Sequence, residues 1–172
     1  LYGNLLIVDE DLKPQKEWIY PDYYGCNNRL LARMVRGNCL PNPGTMIRKS
    51  CFCRFGGYDE SFRRAHDYEF WSRLAKDAVF KHSGAVVCNW RVHANSLSAH
   101  GQGPETSYEA RVVQGMLKRY PLEDLYPDIM SAMEDRDEAR ATCYWQAAST
   151  FLEFKDIENV VTSLQKSYEY CP

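Results

Sequence analysis

The chain has 172 residues, enough for one well-buried core or for a small domain with an appendage. Its 21 basic and 23 acidic residues nearly cancel, which argues against nucleic acid or an anionic membrane surface as the partner. No apolar run approaches the roughly 20 residues that cross a bilayer, so no transmembrane segment is predicted.

The chain opens on an apolar run at residues 5–8 that is typical of a buried strand. It has neither an initiator Met nor a charged segment with a cleavage site, so we do not interpret this start as a signal peptide. We therefore expect the chain to be part of a longer protein. A polar turn ending at Pro14 follows, and the aromatic residues 18–24 are expected to form an extended loop.

Two helices are predicted in the first hundred residues. The first covers residues 28–36 and ends at Gly37, a residue type favoured just after a helix. The second covers residues 67–78, and Asp67 is a suitable N-cap for it.

Three short β-prone runs and one loop complete this part. The runs cover residues 44–48, 79–80 and 85–90, and Gly84 separates the last two. A helical turn is expected near Ser50. A loop rich in Ser, Gly and His follows over residues 95–103.

From Pro104 onward every predicted element is helical. The predicted helices cover residues 105–119, 135–154 and 157–170. Because composition shifts at residues 101–104, we predict two parts. Residues 1–103 are mixed α and β, and residues 104–172 are all α.

The seven cysteines are scattered and odd in number, which argues against a disulfide framework and for a reducing compartment. Cys51 and Cys53 are the one close pair in the sequence. A zinc site would need a second pair, so the thiols are expected to be reduced and mostly buried.

Three motifs in the first part carry chemistry. They are Phe-Gly-Gly-Tyr-Asp-Glu at residues 55–60, His-Asp-Tyr-Glu-Phe-Trp-Ser-Arg-Leu at residues 66–74, and Trp-Arg-Val-His at residues 90–93. A carboxylate at a helix start, such as Asp67, can act as a general base when a cleft shields it. A simple helix cap is the competing interpretation of Asp67.

In this order and at this spacing, the motifs resemble those of family 2 glycosyltransferases of the GT-A fold. The resemblance covers residues 1 to about 100 and implies the carboxyl-terminal half of such a catalytic domain. It implies transfer of a sugar, with inversion, from a nucleotide-sugar donor to a glycan or other acceptor. Asp67 matches the family's base, but His66 stands where relatives often have Glu or Gln.

The resemblance also implies roles for other motif residues. The expected substrate-binding residues are Gly56, Gly57, Asp59, Glu60, His66 and Arg91. His93 is the expected contact to a divalent metal, Mn or Mg, in the full-length protein. A tight turn at the glycines, a strand-end Arg and a surface His are the competing structural interpretations.

Asp9-Glu-Asp11 follows a strand and looks like the family's metal-binding Asp-x-Asp motif. Only eight residues precede Asp9, too few for the βα units that build a nucleotide pocket. We therefore expect a solvated acidic turn without a metal. With the nucleotide-binding half and its motif missing, the isolated chain is expected to be inactive and to hold no cofactor.

The last helix pair resembles one tetratricopeptide-like repeat over about residues 141–172. The residues at the signature spacings are Tyr144, Ala147, Ala148, Phe151, Val160, Leu164, Ser167 and Pro172. Such repeats stack and offer surfaces for protein partners. A generic amphipathic hairpin is the competing interpretation.

Two hypotheses for function remain open. The first is a glycosyltransferase of the kind that builds bacterial cell-surface polysaccharide, acting in the cytoplasm or at the cytoplasmic face of the membrane. The second is a non-catalytic interaction module, in which a degenerate transferase remnant carries protein-binding helical repeats.

Overall fold

A computed structural model of the chain describes residues 1–94 and 107–172. In chain order the strands are β1 (Tyr2–Val8), β2 (Pro14–Trp18) and β3 (His82–Arg91), and the helices are α1 (Asn27–Met34), α2 (Lys49–Phe55), α3 (His66–Leu74), α4 (Tyr108–Arg119), α5 (Leu122–Leu125), α6 (Pro127–Ala132), α7 (Arg136–Glu153) and α8 (Ile157–Tyr170). The predicted mixed α and β class is confirmed.

The described residues form two compact units. The first unit contains Leu1–Asn27 and the chain from Cys39 onward through β3. The second contains Asn28–Asn38 and the helices from α4 to α8. Thus α1, which lies early in the chain, groups with the carboxyl-terminal helices. The predicted boundary at residues 103–104 and the predicted loop at residues 95–103 lie outside the described residues.

The first unit is built on a sheet in the order β2-β1-β3. β1 pairs antiparallel with β2 and parallel with β3. The central strand is almost entirely buried, as the continuous apolar run at residues 5–8 predicts. That prediction is confirmed, and the strand extends back to Tyr2, whose hydroxyl donates to the Pro21 carbonyl at 2.5 Å.

The edge strands differ from the predictions. β3 contains the predicted run at residues 85–90 and extends back across Gly84 to His82, whereas the predicted β-prone run at residues 79–80 is wrong, because it lies outside any strand. β2 was predicted as part of a turn and a loop, because Pro14 lacks an N–H and the strand is polar. Its position at a sheet edge, with proline first, accommodates both features.

The predicted strand at residues 44–48 is wrong. Its backbone pairs with the residue before β1 at one position, where the Met46 N–H donates to the Leu1 carbonyl at 2.9 Å and the Leu1 amino group donates to the Met46 carbonyl at 3.0 Å. One such pair is too few to make a strand. The helical turn expected near Ser50 is present as α2.

Aromatic packing joins α2 and α3 in the core of the first unit. The rings of Phe52 and Phe70 stack with centroids 4.9 Å apart, and Trp71 lies edge-on to Phe80 at 6.5 Å. α3 ends at Leu74, earlier than predicted. The Asn27 amide nitrogen lies 2.9 Å from the Ala75, Lys76 and Ala78 carbonyl oxygens and so satisfies the end of this helix.

The second unit is helical, as predicted. α4 is capped by Ser107, whose hydroxyl accepts from the Ala110 N–H at 3.3 Å. The predicted start of this helix, at residues 105 and 106, lies outside the described residues. Asp135 and Asp156 cap α7 and α8, which pack as a hairpin and confirm the predicted pair. The short helices α5 and α6 were not predicted.

The tetratricopeptide-like interpretation of this hairpin stays a prediction. Ala147, Ala148 and Phe151 are buried, as both a repeat and a generic hairpin require. On α8 only Ser163 is buried, and Leu164 is 43% exposed.

All seven cysteines lie in the described residues and are free thiols. The expectation that they are mostly buried is wrong, because only Cys39 and Cys143 are buried. Among the helices of residues 1–94 and 107–172, none combines the length and apolar composition that crossing a membrane requires.

Candidate active site

The start of α3 differs from the sequence prediction in a way that affects Asp67. The helix begins at His66, so Ala65 occupies the N-cap position, and no side-chain hydrogen bond caps the helix there. The Ala65 carbonyl accepts from the Glu69 N–H at 2.9 Å. The prediction that Asp67 is the N-cap is therefore wrong, because the turn before the helix places the N-cap two residues earlier than the cap preference suggests.

Ala65 is an unusual residue for this position. Its backbone is left-handed, with φ 55° and ψ 19°, a conformation that carries a cost for alanine. Alanine also lacks the side-chain oxygen of good N-caps. The half-buried Asp67 side chain therefore lies in the first helical turn, where the helix dipole favours a negative charge, beside a strained residue.

Two tyrosine hydroxyls lie within the electrostatic field of Asp67. Burial, and after it the Asp67 carboxylate, raises the pKa of Tyr58. Burial, then the Asp67 carboxylate and Cys39, raises the pKa of Tyr20. Both hydroxyls therefore stay protonated near neutral pH and can donate hydrogen bonds.

The Tyr58 ring joins the glycine motif to α3. It lies edge-on to His66 at 5.4 Å, to Phe70 at 5.1 Å and to Phe52 at 5.9 Å between centroids. The structure thus brings the motifs at residues 55–60 and 66–74 together, as their resemblance to one catalytic region implies. Tyr58 was not among the predicted site residues, although it lies inside a motif.

Arg73 holds the glycine turn against α3. Its Nε and Nη2 donate to the two carboxylate oxygens of Glu69 at 2.8 and 2.9 Å. Nη2 also donates to the Gly57 carbonyl at 2.6 Å, and Nη1 donates to the Phe55 carbonyl. The Glu69–Arg73 pair, four residues apart on one helix, therefore fixes the backbone on both sides of Gly56.

Gly56 and Gly57 differ in whether their backbone conformation requires glycine. Gly56 ends α2 with φ 80° and ψ 174°, a region that is essentially open to glycine alone, and an added Cβ would meet Arg73 Nη1 at 3.4 Å. Gly57 has no positive φ, and an added Cβ would find no atom within 4 Å. The tight-turn interpretation thus explains Gly56 and does not explain Gly57.

These geometries predict unequal effects of alanine at the two positions. We expect Gly56→Ala to lower the free energy of unfolding by about 1–3 kcal/mol, the usual range for such backbone strain. Gly57→Ala serves as the matched control and should change it by less than about 0.5 kcal/mol. Urea unfolding followed by tryptophan fluorescence measures both. Equal losses in the two variants would contradict the assignment of strain to Gly56.

Asp59 and Glu60 complete the turn between α2 and α3. The Asp59 carboxylate accepts from the Ser61 N–H at 2.9 Å, and its carbonyl accepts from the Phe62 N–H at 3.0 Å. Asp59 therefore shapes an Asx turn. Glu60 is exposed on the same turn. Their roles in substrate binding remain predictions.

Arg91 and His93 follow the carboxyl end of the sheet. Arg91 is exposed and ends β3 opposite Val8, while His93 is half-buried just beyond. The segment reaches the turn after β1, where the Glu10 carboxylate accepts from the Ala94 N–H at 3.5 Å. Ligands of sheets with parallel strands commonly bind at such carboxyl ends, so the predicted roles of Arg91 and His93 remain open.

The Asp9 carboxylate stabilises the acidic turn after β1 through hydrogen bonds. One Asp9 oxygen accepts from the Asp11 and Lys13 N–H groups at 3.0 and 2.9 Å, and the other accepts from the Gln15 amide at 2.8 Å. The Asp11 carboxylate lies 3.5 Å from the Lys13 ammonium. The expected acidic turn is observed, and the absence of a metal there stays a prediction.

A cavity of about 510 Å³ in the first unit is separate from Asp67. It lies between α2, the end of α3 and the start of β1, and its lining includes Met46, Arg54, Trp71 and Phe80. The buried Trp71 indole N–H has no hydrogen-bond partner among the residues that the structure describes. Sequence patterns gave no signal for this cavity, because its walls come from four separate segments.

Comparison with known proteins gives one match. Residues 28–116, just over half of the chain, match a family model described as "Glycosyltransferase like family 2". The matched span includes α2, α3 and β3, most of α1 and of α4, and the whole Gly56–Arg73 region. Searches of curated proteins and of solved structures each find no match.

Proposed function

The chain belongs to the glycosyltransferase like family 2, and from this membership we propose that it carries the acceptor side of a sugar transfer reaction. The proposed reaction moves a sugar from a nucleotide-sugar donor to a hydroxyl group of a glycan acceptor, with inversion at the anomeric carbon. Asp67 is the proposed general base. The location in the cytoplasm, or at the cytoplasmic face of the membrane, belongs to the same proposal.

The position of Asp67 carries this proposal. The helix start is occupied by Ala65, so capping does not account for a carboxylate at residue 67. The side chain is half-buried in the first turn of α3, with the Tyr20 and Tyr58 hydroxyls in its field. A partly shielded carboxylate among protonated donors is an arrangement suited to a base that works on a hydroxyl group.

The proposed step uses these residues in a defined way. The acceptor oxygen attacks the anomeric carbon while Asp67 takes its proton, and the bond to the nucleoside diphosphate breaks on the opposite side. The leaving group departs with the bonding electron pair. Tyr20 and Tyr58 donate hydrogen bonds that orient the acceptor hydroxyl toward the attack.

A divalent metal does not fit the described residues. Both Asp9 oxygens accept hydrogen bonds within their turn, and no group of three or more His, Cys, Asp or Glu residues among those described is arranged around a common point. That the full-length protein uses Mn or Mg, that His93 contacts it and that Arg91 binds the diphosphate remain parts of the proposal.

The test is an assay of nucleotide-sugar hydrolysis and transfer with a panel of donors, in the presence of Mn or Mg. A full-length protein that contains this chain is expected to turn over at least one donor. The isolated 172-residue chain is expected to be silent. Steady turnover by the isolated chain would contradict the proposal that the donor site lies outside it. A full-length protein that turns over no donor would contradict the proposal that the protein is a glycosyltransferase.

One observation favours the interaction module as a second candidate. α8 exposes a row of apolar side chains, with Ile157 60%, Val161 48% and Leu164 43% exposed. Exposed apolar rows on helices are typical of protein-binding surfaces. The same assay separates the candidates, because a non-catalytic module turns over no donor.

A further inference from the structure

Three aromatic side chains form a continuous strip on the sheet of the first unit. We call Trp90, Trp18 and Tyr20 the aromatic strip. The Trp18 and Tyr20 rings are nearly parallel, at 10°, with centroids 6.1 Å apart. Trp18 and Trp90 are tilted by 46°, with centroids 5.9 Å apart. Trp18 is 44% exposed, so the strip is open to solvent at its centre.

The sheet register places these residues side by side. Trp18 on β2 lies opposite Leu5 of the central strand, and Trp90 on β3 lies opposite Ile7. Because Leu5 and Ile7 are two residues apart, both tryptophans project from the same face of the sheet. The strip therefore bridges the full width of the sheet across β1.

The Tyr20 end of the aromatic strip lies within the electrostatic field of the proposed base. Tyr20 shares the field of Asp67 with Tyr58, whose ring lies 5.4 Å from His66, the neighbour of Asp67 in the chain. Tyr58 is 39% exposed. The Asp67 carboxylate thus acts on the half-buried Tyr20 at the end of the strip and on Tyr58 of the glycine motif.

We propose that the aromatic strip binds successive sugar rings of an extended glycan acceptor, whose terminal hydroxyl is presented to Asp67. A pyranose ring has a face of C–H groups that packs on an aromatic face, while its hydroxyls stay at the rim and in water. The role of Asp67 in this picture rests on the proposed function, whereas glycan binding by the strip does not.

The surroundings of the aromatic strip suit a sugar better than an apolar partner. The Lys16 ammonium lies 5.6 Å from the centre of the Trp18 ring, and every residue of β2 is exposed. Lys16 is a long, mobile donor that can hydrogen-bond ring hydroxyls at the rim. A strip of three rings with a cationic side chain beside it is smaller than the apolar patch expected of a protein interface.

Tryptophan fluorescence of the isolated chain tests the proposal. Cellohexaose, chitohexaose and maltohexaose are titrated separately, with glucose as the monosaccharide comparison. At least one hexasaccharide is expected to bind and to change the emission. Trp18→Ala should weaken that binding at least tenfold, and Trp18→Phe should retain most of it because an aromatic face remains.

The chain offers a matched control in Trp145, which is 58% exposed on α7 in the second unit. Trp145→Ala should leave the dissociation constant unchanged, and circular dichroism checks that each variant is folded. The proposal is overturned if no hexasaccharide binds, or if the two alanine variants weaken binding equally.

The outcomes separate this proposal from the proposed function. Asp67→Asn should bind the hexasaccharide as the unaltered chain does. Glycan binding by a protein whose full-length form turns over no donor would support the strip and reject the transferase. If full-length Trp18→Ala turns over donor with an unchanged KM for the acceptor, glycan binding by the aromatic strip is rejected and the transferase proposal stands.

Discussion

Asp67→Asn in a full-length protein that contains this chain is expected to lower the turnover of sugar transfer by roughly 10²–10⁴-fold, the usual effect of removing a general base. Asparagine has the shape of aspartate but cannot take the acceptor proton. Because the base acts on the acceptor, donor affinity should change little while kcat falls. Steady-state kinetics with varied donor concentration measures both quantities.

The structure makes this substitution a clean test. Ala65 holds the N-cap position, so the helix does not depend on residue 67 for a cap, and Asn would serve there as well as Asp in any case. The free energy of unfolding should therefore change by less than about 1 kcal/mol. Asp11→Asn is the matched control, because Asp11 lies in the solvated turn after β1 and its loss should leave turnover unchanged.

Near-normal turnover in Asp67→Asn would show that Asp67 is not the general base. Asp59 would then be the next candidate base, since its carboxylate lies in the turn just before α3, where it accepts from the Ser61 N–H at 2.9 Å. Glu69 is a poor candidate, because both of its oxygens accept hydrogen bonds from Arg73. A loss of turnover in Asp11→Asn would instead contradict the assignment of a structural role to the acidic turn.

The sequence predicted those features that depend on neighbours along the chain. The apolar run of β1 and the helical spacing of α3, α7 and α8 each require only local periodicity. The caps Asp135 and Asp156 follow from the same local rules. The strand β2 was missed because Pro14 is typical of a turn, and only its place at a sheet edge makes it a strand.

The candidate site depends on contacts that no local pattern contains. Tyr20 approaches Asp67 from a loop far earlier in the chain, so its spacing carries no signal. Arg73 reaches the Phe55 and Gly57 carbonyls from the last turn of α3, which a helical pattern interprets as an ordinary exposed charge. The start of α3 at His66 was missed by one residue because a strained Ala65 overrides the preference for an Asp cap.

Arg73→Met is expected to lower the free energy of unfolding by about 3–5 kcal/mol, the usual effect of removing one partner of a buried ion pair. Glu69 is 8% exposed, so the substitution leaves a buried carboxylate without its two donated hydrogen bonds. It also frees the carbonyls of Phe55 and Gly57, which hold the glycine turn. Urea unfolding followed by tryptophan fluorescence measures the loss.

The double variant Glu69→Gln/Arg73→Met tests how much of this loss comes from the unpaired charge of Glu69. If the loss comes from a stranded carboxylate, neutralising Glu69 should recover a large part of it, giving a coupling energy of about 0.5–3 kcal/mol in a double-mutant cycle. The loss of unfolding free energy in Arg73→Lys should be smaller than that in Arg73→Met but not zero. A lysine ammonium cannot hydrogen-bond a carboxylate and two carbonyls at once. A cost below about 1 kcal/mol for Arg73→Met would be typical of a surface pair. Arg73 would then not be the residue that holds the glycine turn against α3.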